Sequence, residues 1–462
     1  MKQILLIFCI LFTSPTFANE LPTKNLESCI QAALIHNSDI VIAQKDQSIA
    51  KAKTSGAWST IWPKISLTSG FNRSYQRIQK IQMEPISNAF GSLFEGGSEE
   101  GGSGGNNIFP DYYDVASLKL EANQILFGTH ILPAIEAANY GLALANHNLN
   151  SKANNIIFKT TEAYINILKA EKLLQVTKEN QKLTEQLIYQ TQQMVNVGLA
   201  QKTDLLRLKI QLKQIENITL SAKTQLKAAY SNLNLIMGKP VSEQLIISDI
   251  KLGNRHSILL DSSVPDLTQK AYANRAELYI LDCQAKLYNT QAASIGSGYW
   301  PTVTMSGSLG MTNQDLEFDY DKYKDWSLGI NGQWKLIDGG EVGAQVDEVK
   351  GKVAQIEEQK KALKNNIELE VTLAQDALNL KQQQIATALA EVSLAKENLD
   401  IAKTKLSSGG ITNLELINSQ TAFLQAKTNL ITAEYDHEIS KAKLNKVLGL
   451  LTQQHQYKAR IK

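Results

Sequence analysis

The sequence predicts a mainly α-helical chain with a small membrane-type β component, the whole built as a tandem duplication. Three observations predict it. Two sequence blocks recur at fixed offsets, four short segments alternate apolar and polar residues beside all five tryptophans, and two tracts of about 65 residues read as unbroken helix. Composition excludes other classes. Lys plus Arg number 47 against 45 Asp plus Glu, a net +2 that gives no basic excess to condense on nucleic acid, and 43% hydrophobic residues suit a folded chain.

At the N-terminus, Met1 and Lys2 precede the apolar run Ile4 to Phe12, and Thr16-Phe17-Ala18 sets small residues at the −3 and −1 positions of a signal-peptidase site. Residues 1–18 are therefore expected to be a removed secretory signal. Cys9 lies inside the apolar run and Cys29 beyond the cleavage point, so no lipid anchor is expected. Cys29 and Cys283 could pair in an oxidising compartment, but the reading favours two separate, buried, small apolar side chains. Past the signal no stretch reaches the ~18 apolar residues a membrane-crossing helix needs.

Ile61-Trp62-Pro63-Lys64-Ile65-Ser66 recurs as Tyr299-Trp300-Pro301-Thr302-Val303-Thr304 at an offset of 238, and Leu233-Asn234-Leu235-Ile236-Met237-Gly238 as Leu444-Asn445-Lys446-Val447-Leu448-Gly449 at 211. The 27 residues of difference fall in the first half, where the Gly91 to Gly105 stretch reads as a flexible exposed loop within residues 76–114. This divides the chain into a first repeat over 19–238, an inter-repeat equatorial segment over 239–265, a second repeat over 266–449 and a tail over 450–462.

Each repeat runs in the same order. A helical segment ends at the Trp-Pro pair, because proline cannot continue a helix and drives its predecessor to extended geometry. Strands follow at about 65–75 and 115–126 in the first repeat, and about 302–310 and 326–337 in the second, each with one apolar and one polar face. Trp62, Trp300, Trp326 and Trp334 sit in or beside them, where indole would mark a water–lipid boundary.

Long helices are expected at about 133–197 and 341–406, each with a returning helix, at about 200–237 and 412–448. Val371, Leu378, Ile385, Val392, Leu399 and Leu406 recur every seven residues beside an alanine row of Ala374, Ala388, Ala395 and Ala402 that Lys381 interrupts. A large-residue row beside a small-residue row favours close antiparallel helix packing. The returning helices alternate steps of three and four, and His437 stands where its copy has Leu226, which suggests a hydrogen-bonded seam histidine.

Membrane strands must close without a free edge, and four are too few, so several chains would have to pool theirs. Two chains would supply eight strands and three would supply twelve. Only the wider barrel leaves an open lumen.

The duplicated order, the Trp-Pro strand starts, the Leu336-Ile337-Asp338-Gly339-Gly340 strand exit and the glycine-containing helical turns resemble the TolC-type outer-membrane efflux protein family over nearly the whole mature chain. The resemblance implies a homotrimeric tube, a twelve-stranded outer-membrane β-barrel continued by an α-helical barrel, in the outer membrane of a Gram-negative bacterium and extending into the periplasm. It implies a passive exit duct for a tripartite efflux pump or type I secretion system. Its partners would be outer-membrane lipid, a periplasmic adaptor (membrane fusion) protein and an inner-membrane transporter of the RND, ABC or MFS kind, with no cofactor. The equatorial segment would pack outside the helical cylinder.

The helical turns Val197 to Leu205 and Ser408 to Leu416 match at the offset of 211, and Gly198, Leu199, Gly409, Gly410 and Ile411 become the expected adaptor contacts. Asp204 and Glu415 fall in the first turn of the returning helices, where the helix dipole favours a carboxylate. By resemblance, Glu415, Asn418 and Asp204 are the expected residues of an iris-like periplasmic gate, although the capping role weighs more for Asp204. Family members often carry a second Asp at position 418 and an Arg near 411; here Asn418 and Ile411 stand instead, which predicts a single carboxylate ring held by packing. No nucleophile elbow, phosphate loop or metal-ligand spacing appears, so an enzyme is not expected. The competing reading is a periplasmic coiled-coil structural or adaptor protein without a pore.

Overall fold

A computed structural model describes residues 23–75, 112–198, 200–249, 263–313, 324–407 and 410–455. The expected signal peptide, the glycine-rich loop up to residue 111, Leu199, Gly409, residues 250–262 of the equatorial segment and the tail from 456 lie outside them.

The elements run α1 (Leu26–His36), α2 (Ser38–Trp58), β1 (Lys64–Tyr75), β2 (Tyr112–Phe127), α3 (Ile131–Asn196), α4 (Lys202–Ile236), α5 (Val264–Asn274), α6 (Ala276–Gly296), β3 (Thr302–Asn313), β4 (Lys324–Gln333), α7 (Glu341–Ser407), α8 (Asn413–Val447) and α9 (Leu451–Gln454). The chain forms two compact units. One comprises residues 52–139 and 286–353 and holds the sheet; the other comprises the remainder and is helical.

The helical unit repeats its local solutions. Asn25 caps α1 by accepting from the Ser28 amide at 2.8 Å, and Ser263, 238 residues on, caps α5 by accepting from the Asp266 amide. In one core, Cys29, Ile30 and Ala33 of α1 pack with Ile157, Leu168 and Leu233; in the other, Leu267 and Ala271 of α5 pack with Ile367, Val371, Leu378 and Leu444. Cys29 and Cys283 are both buried, and no disulfide joins them. The heptad row of α7 is buried or half-buried along its length, as are Ala374, Ala388, Ala395 and Ala402.

Two features of this unit involve the inter-repeat segment and the tail. Lys24 bridges to Ile247 in parallel, and the Tyr164 hydroxyl donates to the Ser248 carbonyl at 2.5 Å, so a helix side chain clasps the start of the chain and the inter-repeat segment together. After α8, Leu451 is buried in the first core, and His455 lies 2.7 Å from the Glu27 carboxylate.

The histidine expectation needs correction. His437 is buried, but its Nε2 has no hydrogen-bond partner among the described residues, and its Nδ1 is 3.7 Å from Glu438, beyond hydrogen-bond length.

In the other unit β1, β2, β3 and β4 form one antiparallel sheet in chain order, leaving β1 and β4 as its two edges. The last strand is shorter than expected. Its final pair is Gln333 with Thr302, and the residue before Thr302 is Pro301, which has no amide hydrogen to extend the ladder. Trp334 and Leu336 therefore lie past the strand; the Trp334 indole instead donates to the Tyr299 carbonyl at 3.1 Å.

Candidate functional site

The register sorts the sheet's side chains into two unlike faces. Ile65 opposes Ala122, Leu67 opposes Leu120, Leu120 opposes Leu309 and Leu309 opposes Trp326, so these residues share one face with Phe71, Leu118, Leu328 and Ile330. On that face Ile65, Leu67, Phe71, Trp326, Leu328 and Ile330 are each more than 60% exposed, an apolar surface that water would not leave uncovered in a folded protein. The opposite face carries Ser66, Thr68, Asn72, Glu121, Asn123, Ser306, Ser308 and Asn331. One side suits lipid and the other water. Trp62 and Trp300 are exposed at the two Trp-Pro turns, each donating its amide to a serine carbonyl three residues back.

In the helical unit the connections between long and returning helices place the other predicted residues. Gly198 closes α3 with φ +76°, a left-handed conformation that a side chain disfavours. Asp204 is half-buried in the first turn of α4, whose N-cap Gln201 makes no side-chain capping bond. At the second connection the Gly410 amide donates to the Lys405 carbonyl, and Thr412 caps α8 by accepting from the Glu415 amide at 3.4 Å. Glu415 and Asn418 are exposed, while Ser419 between the helices receives a hydrogen bond from Asn398 of α7 at 3.3 Å. Ile411 packs against a small core of Leu399, Ala402 and Leu416 together with Leu187 and Phe423.

Two constellations were missed at the sequence level. Leu373, Leu380, Leu394 and Ile401 of α7 form a second row at multiples of seven, displaced two residues from the buried row and so about 200° around the helix. All four are exposed, at 47–69%. Their spacing was the available signal. The other is Asp436 of α8, which binds Lys169 of α3 at 2.8 Å and Lys381 of α7 at 3.2 Å. Among the described residues no cluster of His, Cys, Asp or Glu could hold a metal ion.

A duplicated chain with long paired helices and an open, two-faced sheet is the architecture of an outer-membrane conduit component. The sequence pattern of the outer membrane efflux protein family matches residues 29–239 and 267–450, and the chain belongs to that family. It is 21% identical over 451 residues to outer membrane protein TolC of Escherichia coli, covering 95% of this chain and 85% of that protein. It is also 21% identical over 352 residues to the alkaline protease secretion protein AprF of Pseudomonas aeruginosa, covering 73% of this chain and 70% of that one. Among solved structures, CusC superposes with a TM-score of 0.75 at 15% identity, covering 93% of each chain. The fold is thus TolC-like, and the protein is an outer-membrane protein of the Gram-negative type that reaches into the periplasm. Its family consists of transport conduits of efflux and secretion systems rather than enzymes.

Proposed function

We propose that three copies of this chain form a passive exit duct through the periplasm and outer membrane, serving a tripartite efflux pump or a type I secretion system. The observation that carries it is the sheet: among the described residues it has four strands, two edges without a partner strand, and one face rich in exposed Leu, Ile, Phe and Trp. In lipid each unpaired backbone group costs several kcal/mol, so β1 of one copy must meet β4 of the next. The second heptad row on α7 supports the same pooling, because four exposed aliphatic side chains at coiled-coil spacing form a ready-made seam for a neighbouring copy.

In this reading Glu415 provides the carboxylate ring of an iris-like gate, with Asn418 beside it, and Ile411 holds the turn by packing rather than by an ion pair. The exposed turns carrying Gly198 and Gly410 meet a periplasmic adaptor protein, which links the duct to an inner-membrane transporter. A pore-free periplasmic coiled-coil protein would have no use for a lipid-suited sheet face. The test is direct. Protein extracted from outer membranes should migrate as a heat-modifiable trimer and conduct ions in a planar bilayer; a water-soluble, non-conducting monomer would refute the duct.

A further inference from the structure

The polar face of the sheet carries four charged side chains among the described strand residues: Lys64 on β1, Lys119 and Glu121 on β2, and Asp325 on β4. They are two cations and two anions, and one pair is engaged in an unusual way. The register sets Lys119 opposite Gly310 and Gly310 opposite Asp325, so the lysine and the aspartate stand two strands apart, with Cα atoms about 10 Å from each other. Lys119 nevertheless reaches Asp325 at 3.6 Å, because it lies flat across the intervening strand. Gly310 makes this possible. A Cβ there would stand 2.6 Å from the Lys119 Cγ and 2.6 Å from the Leu118 carbonyl oxygen, closer than a side chain can be accommodated.

We propose that the Lys119–Gly310–Asp325 row neutralises the wall of the sheet-lined section of the duct, leaving the outlet indifferent to the charge of what passes. The inference rests on the duct reading, in which the polar face lines the lumen. Lying against the wall, Lys119 keeps its ammonium beside the Asp325 carboxylate, so cargo meets an ion pair rather than a lone charge. The entrance carboxylate at Glu415 then remains the place where charge is selected. Without Lys119, Glu121 and Asp325 would outnumber Lys64, and threefold repetition would turn the section into an anionic belt. Without Asp325 the balance tips the other way.

The experiment is reversal-potential measurement on single channels in a KCl gradient near 0.1 M, where charges are felt over about 10 Å. A Glu415→Gln background keeps the entrance from masking the outlet. Lys119→Met should raise the potassium-over-chloride permeability ratio about twofold and Asp325→Asn should lower it about twofold, with the double variant returning to the starting value. Lys119→Gln serves where Lys119→Met yields no heat-modifiable trimer. Conducting trimers whose ratio is the same in all four forms would overturn the neutral-wall inference and leave the duct standing. Absence of conductance from the unaltered protein would remove the duct, and this inference with it.

Discussion

Lys381 of α7 and Asp436 of α8 lie 3.2 Å apart, and the same aspartate holds Lys169 of α3 at 2.8 Å. The residue that interrupts the alanine row is therefore the one that meets the shared carboxylate. All three side chains are largely covered, at 22–29% exposure, so the pairs are less screened than surface bridges. Asp436→Asn should lower the thermal midpoint of the purified trimer, corresponding to about 1–3 kcal/mol per chain, because two part-buried ammonium groups lose their counter-charge. Lys381→Ala should cost less, since it completes the alanine row and leaves Lys169 in place. Equal midpoints for Asp436→Asn and the unaltered protein would show that the triad contributes nothing.

Glu415 is exposed at the start of α8, whereas Asp204 is half-buried at the start of α4. Glu415→Gln is expected to raise single-channel conductance or weaken block by divalent cations, because converging carboxylates both repel one another and attract such ions. Asp204→Asn should leave conductance unchanged and reduce stability by about 0.3–1 kcal/mol through the helix dipole. Bilayer recording and thermal unfolding on both variants separate the two roles; unchanged conductance and block in Glu415→Gln would remove the gate assignment.

The exposed row on α7 predicts where the assembly breaks. A leucine buried at an interface contributes about 1.5–3 kcal/mol, so Leu380→Glu with Leu394→Glu should release subunits while their far-ultraviolet helical signal persists. Sedimentation in detergent reads the outcome. A trimer that withstands both charges would place the neighbour elsewhere.

Glu179 of α3 accepts from Lys427 of α8 at 2.8 Å, and that ammonium, aided by Gln175, holds its carboxyl below the usual carboxylate range. A carboxylate with a depressed folded pKa stabilises the fold above its unfolded value of 4.5 and loses that contribution as pH falls through the folded one. Lys427→Gln should therefore lower the thermal midpoint at pH 7, by the equivalent of less than about 1 kcal/mol at this exposed site, and should make no difference near pH 2. A gap that persists at the acid end would mean the lysine acts through packing.

Much of this architecture was legible because it is periodic. Alternation located all four strands, and steps of three and four located the seam of each returning helix. What escaped depends on partners far along the chain. Lys381 was visible as an exception, but Asp436, 55 residues on, gave no local sign of being its counterpart. The end of β4 was misjudged because alternation continues through Trp334 and Leu336 while the ladder stops for want of an amide at Pro301. His437 is expected to be hydrogen-bonded, but its Nε2 has no partner among the described residues. The Tyr164 clasp reaches partners 140 positions before it and 84 after it and has no period.

Gly238 and Gly449, at φ +69° and +72°, end the returning helices of the two halves. A Cβ at Gly238 would sit 2.3 Å from the His36 carbonyl oxygen, and one at Gly449 would sit 2.9 Å from that of Asn274, which is the counterpart of His36 after 238 residues. The obstacle in both places is main chain, which cannot swing aside as a flexible side chain would. However far the two halves drift apart in sequence, neither can trade its glycine for a larger residue, and this pair of fixed points preserves the memory of the ancestral single repeat.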